Sequence, residues 1–171
     1  MLSDTIQEKL NNQIRREFRA SNNYLAMASW CETEGYEGAA KYFYAQSDEE
    51  REHGLRLFHY INGLDGKALA PEIEKPPAKF DSFKQIFKDA LQQERNTTQS
   101  IHELVQISLD EKDYSTYNFL HWYLEEQVEE ENKFRSILDK LKIIGDDRSG
   151  LYLLDKDLGT DAGTDQPPVQ E

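Results

Sequence analysis

Four long segments of helical periodicity constrain the fold of this 171-residue chain more than any other feature. In each segment, apolar residues recur every three or four positions, which places them along one side of an α-helix. The segments cover about residues 4–33, 38–64, 82–109 and 114–144. Asp4 and Ser82 are suitable N-caps, while Gly35 and Gly145 are placed to end the first and fourth helices. Because the chain has only 9 glycines and 5 prolines, a turn-rich β-sandwich or barrel is disfavoured, and we predict an all-α domain.

The connection between the second and third segments predicts how those helices are oriented. It spans residues 66–80 and contains Pro71, Pro76 and Pro77. Fully extended, about fifteen residues reach roughly 50 Å, whereas a helix of about 27 residues is roughly 40 Å long. The connection can therefore return along the whole preceding helix and leave helices two and three parallel. This predicts a four-helix bundle with one long crossover, although periodicity alone leaves other bundle topologies open.

A short amphipathic segment at residues 151–158 follows the bundle. It is too brief to be stable as an isolated helix, so we predict a C-terminal fifth helix that packs on another surface. The predicted domain therefore covers residues 1–159, and residues 160–171 are predicted to form a flexible tail.

Charge and cysteine content exclude several classes of function. The chain has 33 acidic and 20 basic residues, a net charge of −13, which argues against binding to nucleic acid or to an anionic membrane. Cys31 is the single cysteine, so neither an intrachain disulfide nor a cysteine-based zinc cluster can form. The polar N-terminal residues contain no apolar signal-peptide core, and we expect a cytoplasmic location.

Polar residues interrupt the apolar stripe of every long helix near its midpoint. Helix midpoints coincide in a bundle whichever way the helices run, so these side chains should converge at one level of the core. They are Glu17 on the first helix, Glu50 and His53 on the second, Glu94 on the third, and Gln127 and Glu130 on the fourth.

Four buried carboxylates at one level require compensation, because each loses several kcal/mol of hydration and repels the others. A single inward glutamate is ordinarily a rim residue whose carboxylate reaches solvent. One on each of four helices is far more specific and predicts a dinuclear metal site. Carboxylate oxygens with one imidazole suit iron better than copper, and they differ from the all-oxygen cage of a calcium site.

Several stretches resemble the ferritin family, and in particular bacterial non-haem ferritins. The resemblance covers roughly residues 1–158. The motifs that carry it are Glu50-Arg51-Glu52-His53, Gln127-Val128-Glu129-Glu130, Ala28-Ser29-Trp30-Cys31, Glu37-Gly38-Ala39-Ala40, Tyr117-Asn118-Phe119-Leu120 and Leu151-Tyr152.

The resemblance implies a di-iron ferroxidase centre. It assigns Glu17, Glu50 and His53 to the first iron, with Glu50 bridging to the second iron. The resemblance also implies that Glu94 and Glu130 complete the second iron site and that Gln127 lies close by. Tyr24 matches a tyrosine beside the centre that donates a hydrogen bond or an electron, although an ordinary core tyrosine explains its position equally well.

A third iron position is implied by the resemblance rather than by periodicity. Its matching residues are Glu49, Glu126 and Glu129. Glu49 and Glu126 fall at the edge of the apolar stripe and Glu129 points away from it, so all three also fit an ordinary solvated helix face.

Two differences from related families narrow the prediction of the metal ligands and of the cofactor. The fourth helix has Gln127 and Glu130 where bacterioferritins and many di-iron oxygenases have a second Glu-x-x-His pair. Arg51 stands where bacterioferritins have the haem-binding methionine, so we predict no haem.

The resemblance implies an iron-storage subunit that oxidises Fe²⁺ with dioxygen or peroxide. It also implies a homo-oligomeric cage of 24 subunits that encloses the ferric oxide, with residues 151–158 at the fourfold contacts. Two other functions stay open: a di-iron oxidase or peroxidase that detoxifies oxidants without storing iron, and a structural cage subunit that binds metal without redox turnover.

Overall fold

The computed structural model describes residues 2–161, which form five α-helices and no β-strand. The helices are α1 (Asp4–Thr33), α2 (Glu37–Gly63), α3 (Phe83–Asp110), α4 (Tyr114–Ile144) and α5 (Arg148–Asp161). The predicted all-α class is confirmed. No helix in this part of the chain has a stretch long and apolar enough to cross a membrane.

Serine side chains cap the first residues of α1 and α3. The Ser3 hydroxyl accepts a hydrogen bond from the Ile6 N–H at 3.1 Å, so Ser3 caps α1, and the predicted cap, Asp4, is already inside the helix. The prediction was one residue late because Ser3 has the extended backbone that an N-cap requires. Ser82 caps α3 as predicted, accepting from the Gln85 N–H at 3.1 Å.

Helix α1 runs antiparallel to both α2 and α3. Residues further along α1 contact residues nearer the start of each partner helix. The pairs are Phe18 with Gly54 and Ser21 with Ser47 across α1 and α2, and Gln13 with Ser100 and Asn23 with Gln93 across α1 and α3. Helices α2 and α3 are therefore parallel, which confirms the long crossover.

The crossover, residues 64–82, is fastened to α1 by side chains that accept from its backbone. The Lys67 N–H donates to Gln7 Oε1 at 2.8 Å, and the Leu69 N–H donates to Asn11 Oδ1 at 2.7 Å. These bonds satisfy backbone donors of a segment that has no secondary structure of its own.

Two apolar clusters fill the bundle, one towards each end. The first is rich in aromatic rings and contains Tyr24, Phe43, Phe87 and Phe134. The second is mainly aliphatic and contains Leu10, Leu57, Ile101 and Leu120. On each long helix, buried polar residues lie between the two clusters, so a polar layer crosses the bundle at mid-height.

Helix α5 is longer than the predicted residues 151–158, and it docks on the start of α2. Leu154 and Leu158 are buried, and the Asp155 carboxylate accepts from the N–H groups of Gly38 at 3.1 Å and Ala39 at 2.8 Å. These N–H groups are in the first turn of α2 and have no acceptor within the helix, so Asp155 satisfies them. Its carboxylate also places a negative charge at the positive end of that helix.

The predicted boundary of the tail at residue 160 falls within α5, since residues 160 and 161 continue the helix. The rest of the predicted tail, residues 162–171, lies outside the described residues.

We predict that Gly38→Ala loosens the docking of α5. A Cβ on Gly38 would lie 1.6 Å from the backbone oxygen of Asp155, which cannot rotate away. Because overpacking of this kind costs about 1–3 kcal/mol, amide hydrogen exchange throughout α5 should accelerate about tenfold.

Gly63→Ala is the matched control, because a Cβ added there has no described atom within 4 Å outside its own helix backbone. Equal protection of α5 in the two variants, measured by hydrogen–deuterium exchange, would contradict this account of the docking.

Candidate metal centre

The polar layer brings together side chains from all four long helices. None of the six predicted inward-facing residues is more than 4% exposed. They are Glu17 from α1, Glu50 and His53 from α2, Glu94 from α3, and Gln127 and Glu130 from α4. Each lies between residues of the two apolar clusters on its own helix, which is why all six are at the same level.

Glu17, Glu50 and His53 form the tightest group. One ligand atom from each lies within 4.8 Å of the others, and His53 Nδ1 is 3.7 Å from Glu50 Oε2. Glu50 and His53 are three residues apart on α2, so they project from the same face of that helix. Two carboxylates and one imidazole provide three donors for one metal ion.

Unpaired carboxylate oxygens indicate that this group fits a cation. Glu17 Oε2, Glu50 Oε2 and Glu130 Oε2 are buried and have no hydrogen-bond partner among the described residues. A buried acceptor without a partner loses its hydration without replacement, which costs about 1–3 kcal/mol, and more when the group is charged. A divalent cation at these oxygens would remove that penalty.

Glu94 and Glu130 belong to neither of the groups with metal-ligand spacing found in the described residues. Both oxygens of Glu94 already accept hydrogen bonds, one from the Tyr24 hydroxyl and one from Gln127 Nε2 at 3.1 Å. Glu130 Oε1 accepts from Lys133 Nζ at 2.9 Å. Protein donors therefore hold the carboxylates that the resemblance assigns to the second metal position.

The residues predicted for a third position are only partly brought together. Glu49 and Glu126 are half-buried and form a second group with His53, in which one ligand atom from each lies within 4.8 Å of the others. Glu129 is exposed and lies outside this group. The third member of this group is therefore His53, whereas the resemblance implies Glu129.

Burial dominates the electrostatics of the layer. It raises the pKa of Glu50 well above its ordinary value, with Glu94 and Glu17 adding to the shift. It raises the pKa of Glu94 to about 7, against the opposing effect of the bonds from Tyr24 and Gln127. Burial also raises the pKa of Glu130 to about 8, and the nearby Glu49 contributes. The metal-free fold therefore loses stability as pH rises through these values, because the unfolded chain ionises more readily.

Tyr24 contacts the layer from the aromatic cluster. Its ring stacks on Phe43 and Phe134, with centroids 5.8 Å and 5.9 Å away. Burial raises the pKa of its hydroxyl well above the ordinary value, so the group stays protonated and donates to Glu94. The tyrosine is thus both a packed core residue and a hydrogen-bond donor to the site.

Sequence reasoning missed the residues that position these carboxylates. Gln13 is fully buried one turn before Glu17 and donates to Glu17 Oε1 at 2.7 Å, while Ser100 Oγ donates to Gln13 Oε1 at 2.6 Å. On α4, Tyr123 donates from its hydroxyl to the His53 backbone oxygen at 2.7 Å. The sequence shows Gln13 as a second polar residue inside the apolar stripe of α1. It does not show that Ser100 on α3 is the hydrogen-bond partner of Gln13.

The chain is similar to known proteins over nearly its whole length. Residues 7–144 match the family described as Ferritin-like domain. A probable bacterial non-heme ferritin-like protein of Haemophilus influenzae is 45% identical over 159 residues, which are 93% of this chain and 96% of that protein. The bacterial non-heme ferritin of Staphylococcus aureus strain MRSA252 is 43% identical over 160 residues, 94% of this chain and 96% of that protein.

Among solved structures, an open pore ferritin from the hyperthermophilic archaeon Archaeoglobus fulgidus has a TM-score of 0.91 at 38% identity. The match covers 93% of this chain and 98% of the archaeal chain. At this identity and coverage, the similarity extends to sequence as well as to fold.

We predict that binding of Zn²⁺, a redox-inert probe, releases protons and strengthens with pH. Glu94 and Glu130 have pKa values of about 7 and about 8 without metal, so below these values a cation must displace their protons. Affinity should rise roughly tenfold per pH unit for each proton released between about pH 6 and 8, and level off above that range.

Isothermal titration calorimetry in two buffers of different ionisation enthalpy measures the proton release directly. An affinity that stays constant from about pH 6 to 8 would show that Zn²⁺ binds without displacing these protons.

Proposed function

The chain belongs to the ferritin family, whose members store iron, and we propose that its buried polar layer is a ferroxidase centre in an iron-storage subunit. One observation carries the proposal. Glu17, Glu50 and His53 converge in the core within metal-ligand distance, and both carboxylates there have a buried oxygen with no hydrogen-bond partner among the described residues.

Fe²⁺ is the substrate of this reaction. The first ion binds Glu17, Glu50 and His53, which supply oxygen and nitrogen donors from two antiparallel helices. Glu50 also reaches the second ion, whose other ligands are Glu94 and Glu130. Each Fe²⁺ gives up one electron, and the two electrons, with two protons from water, reduce dioxygen to hydrogen peroxide or hydrogen peroxide to two water molecules. The negative carboxylates favour the Fe³⁺ product because they stabilise its higher charge.

Side chains at the second position exchange partners when Fe²⁺ binds. Glu130 offers its unpaired Oε2 while Oε1 stays with Lys133. Glu94 has both oxygens occupied, and the 3.1 Å bond from Gln127 is the one that yields. Gln127 then remains beside the second ion, as the resemblance implies.

The Tyr24 hydroxyl acts through Glu94 in this proposal. Its hydrogen bond fixes one carboxylate oxygen, so the other is directed to the second ion. The phenol is also directly hydrogen-bonded to a ligand of the second ion, which suits it to electron donation when oxygen is reduced.

Assembly into a homo-oligomeric cage, of 24 subunits as the family resemblance implies, accounts for apolar side chains exposed near the end of the chain. Ile143, Tyr152 and Leu153 are 86%, 70% and 58% exposed. Tyr152 and Leu153 lie on α5, which we propose contacts neighbouring subunits in the cage. The net charge of −13 per chain would attract Fe²⁺ to such a cage in the cytoplasm.

We predict that Glu50→Ala removes fast Fe²⁺ oxidation. The variant lacks the bridging ligand, so the rapid phase at two irons per chain should slow at least about a hundredfold in stopped-flow absorbance. Because Glu50 is a buried carboxylate with a raised pKa, its removal should leave the metal-free fold intact.

Glu52→Ala is the matched control, since Glu52 is on the same helix and its side chain is 72% exposed. Equal rates in Glu50→Ala, Glu52→Ala and the unaltered chain would place the chemistry elsewhere. A ferric mineral core after excess Fe²⁺ supports storage, whereas rapid oxidation without a core supports detoxification alone.

A further inference from the structure

Lys133 brings a positive charge to the edge of the polar layer. It lies on α4, one turn after Glu130, and its side chain is 25% exposed. Its Nζ donates to Glu130 Oε1 at 2.9 Å and lies 3.9 Å from Glu49 Oε1 on α2. The ammonium therefore connects two helices by contacting a carboxylate on each.

The same charge also acts on the half-buried group formed by Glu49, His53 and Glu126. Lys133 lowers the pKa of Glu126, opposing the increase caused mainly by burial. The ammonium thus acts electrostatically on the carboxylates at this edge, which are Glu49, Glu126 and Glu130. It is a cation placed by the protein among carboxylates that have the spacing of metal ligands.

The two oxygens of Glu130 have different partners. Oε1 faces Lys133, whereas Oε2 is buried without a hydrogen-bond partner among the described residues. Glu130 can bind a metal ion through Oε2 and keep the ammonium on Oε1. Lys133 therefore leaves one oxygen of Glu130 available to an ion at the second metal position.

We infer that Lys133 is a built-in cation that limits this centre to two metal ions, by opposing a third ion at Glu49 and Glu126. Metal–oxygen bonds are about 2.1 Å long, so an ion on Glu49 Oε1 would lie within about 6 Å of the ammonium. Repulsion at that distance weakens binding by at least about tenfold, even with substantial screening. The identity of the ion as iron rests on the proposed function, whereas the competition between cations does not.

Lys133→Met tests this inference, because methionine retains a similar length and removes the charge. We would titrate full-length protein with Zn²⁺ by isothermal titration calorimetry and count ions bound per chain. The unaltered chain should bind two ions tightly. Lys133→Met should bind a third with a Kd at least about tenfold lower than any third binding by the unaltered chain.

Lys133→Arg is the matched control and should behave like the unaltered chain, since it keeps the positive charge. Lys133→Gln repeats the neutralisation with a polar side chain, in case Lys133→Met fails to fold. Adding Glu49→Gln to Lys133→Met should abolish the third ion, which separates this position from Zn²⁺ bound elsewhere on the acidic surface.

Comparison with Glu50→Ala distinguishes failure of this inference from failure of the proposed function. If both neutral variants bind no additional ion while Glu50→Ala loses the two tight ions, the inference about Lys133 is overturned and the di-iron centre stands. If Glu50→Ala changes nothing but Lys133→Met gains an ion that depends on Glu49, the inference stands and the di-iron centre falls.

Discussion

Desolvation of carboxylates at mid-bundle is the constraint on which the rest of this structure depends. Glu17, Glu50, Glu94 and Glu130 are at most 2% exposed, and apolar clusters lie above and below them. Water cannot stabilise their charges there, so the protein supplies donors to some oxygens and leaves others unpaired. The unpaired oxygens make the metal-free layer unfavourable for the fold, and the same oxygens would make it a strong cation site.

The surrounding structure fixes this layer in place. The aromatic and aliphatic clusters pack the four helices together, and the crossover allows α2 and α3 to run parallel on either side of the antiparallel α1. Gln13 and Ser100 then orient Glu17, while Tyr24 and Gln127 orient Glu94. Such prior ordering reduces the conformational entropy lost on binding, because few side chains have to be immobilised by the metal.

The helices and the residues of the polar layer were predictable, because both follow from one periodic pattern. An apolar stripe determines which face of a helix is buried, and polar residues such as Glu17 and Glu94 inside that stripe must enter the core. Contacts between helices were not predictable, because they depend on side-chain rotamers and relative helix heights. Lys133 illustrates the difference, since its sequence position shows that it is one turn from Glu130 but not that it also reaches Glu49.

Anomalous diffraction at the iron absorption edge is the sharpest test of the proposal that the buried oxygens of this layer bind two irons. Crystals would be soaked with Fe²⁺ without dioxygen, so that the ions bind but are not oxidised. We expect two iron peaks per chain inside the bundle, one among Glu17, Glu50 and His53 and the other among Glu50, Glu94 and Glu130. Iron peaks confined to the exposed surface, with none in the polar layer, would contradict it.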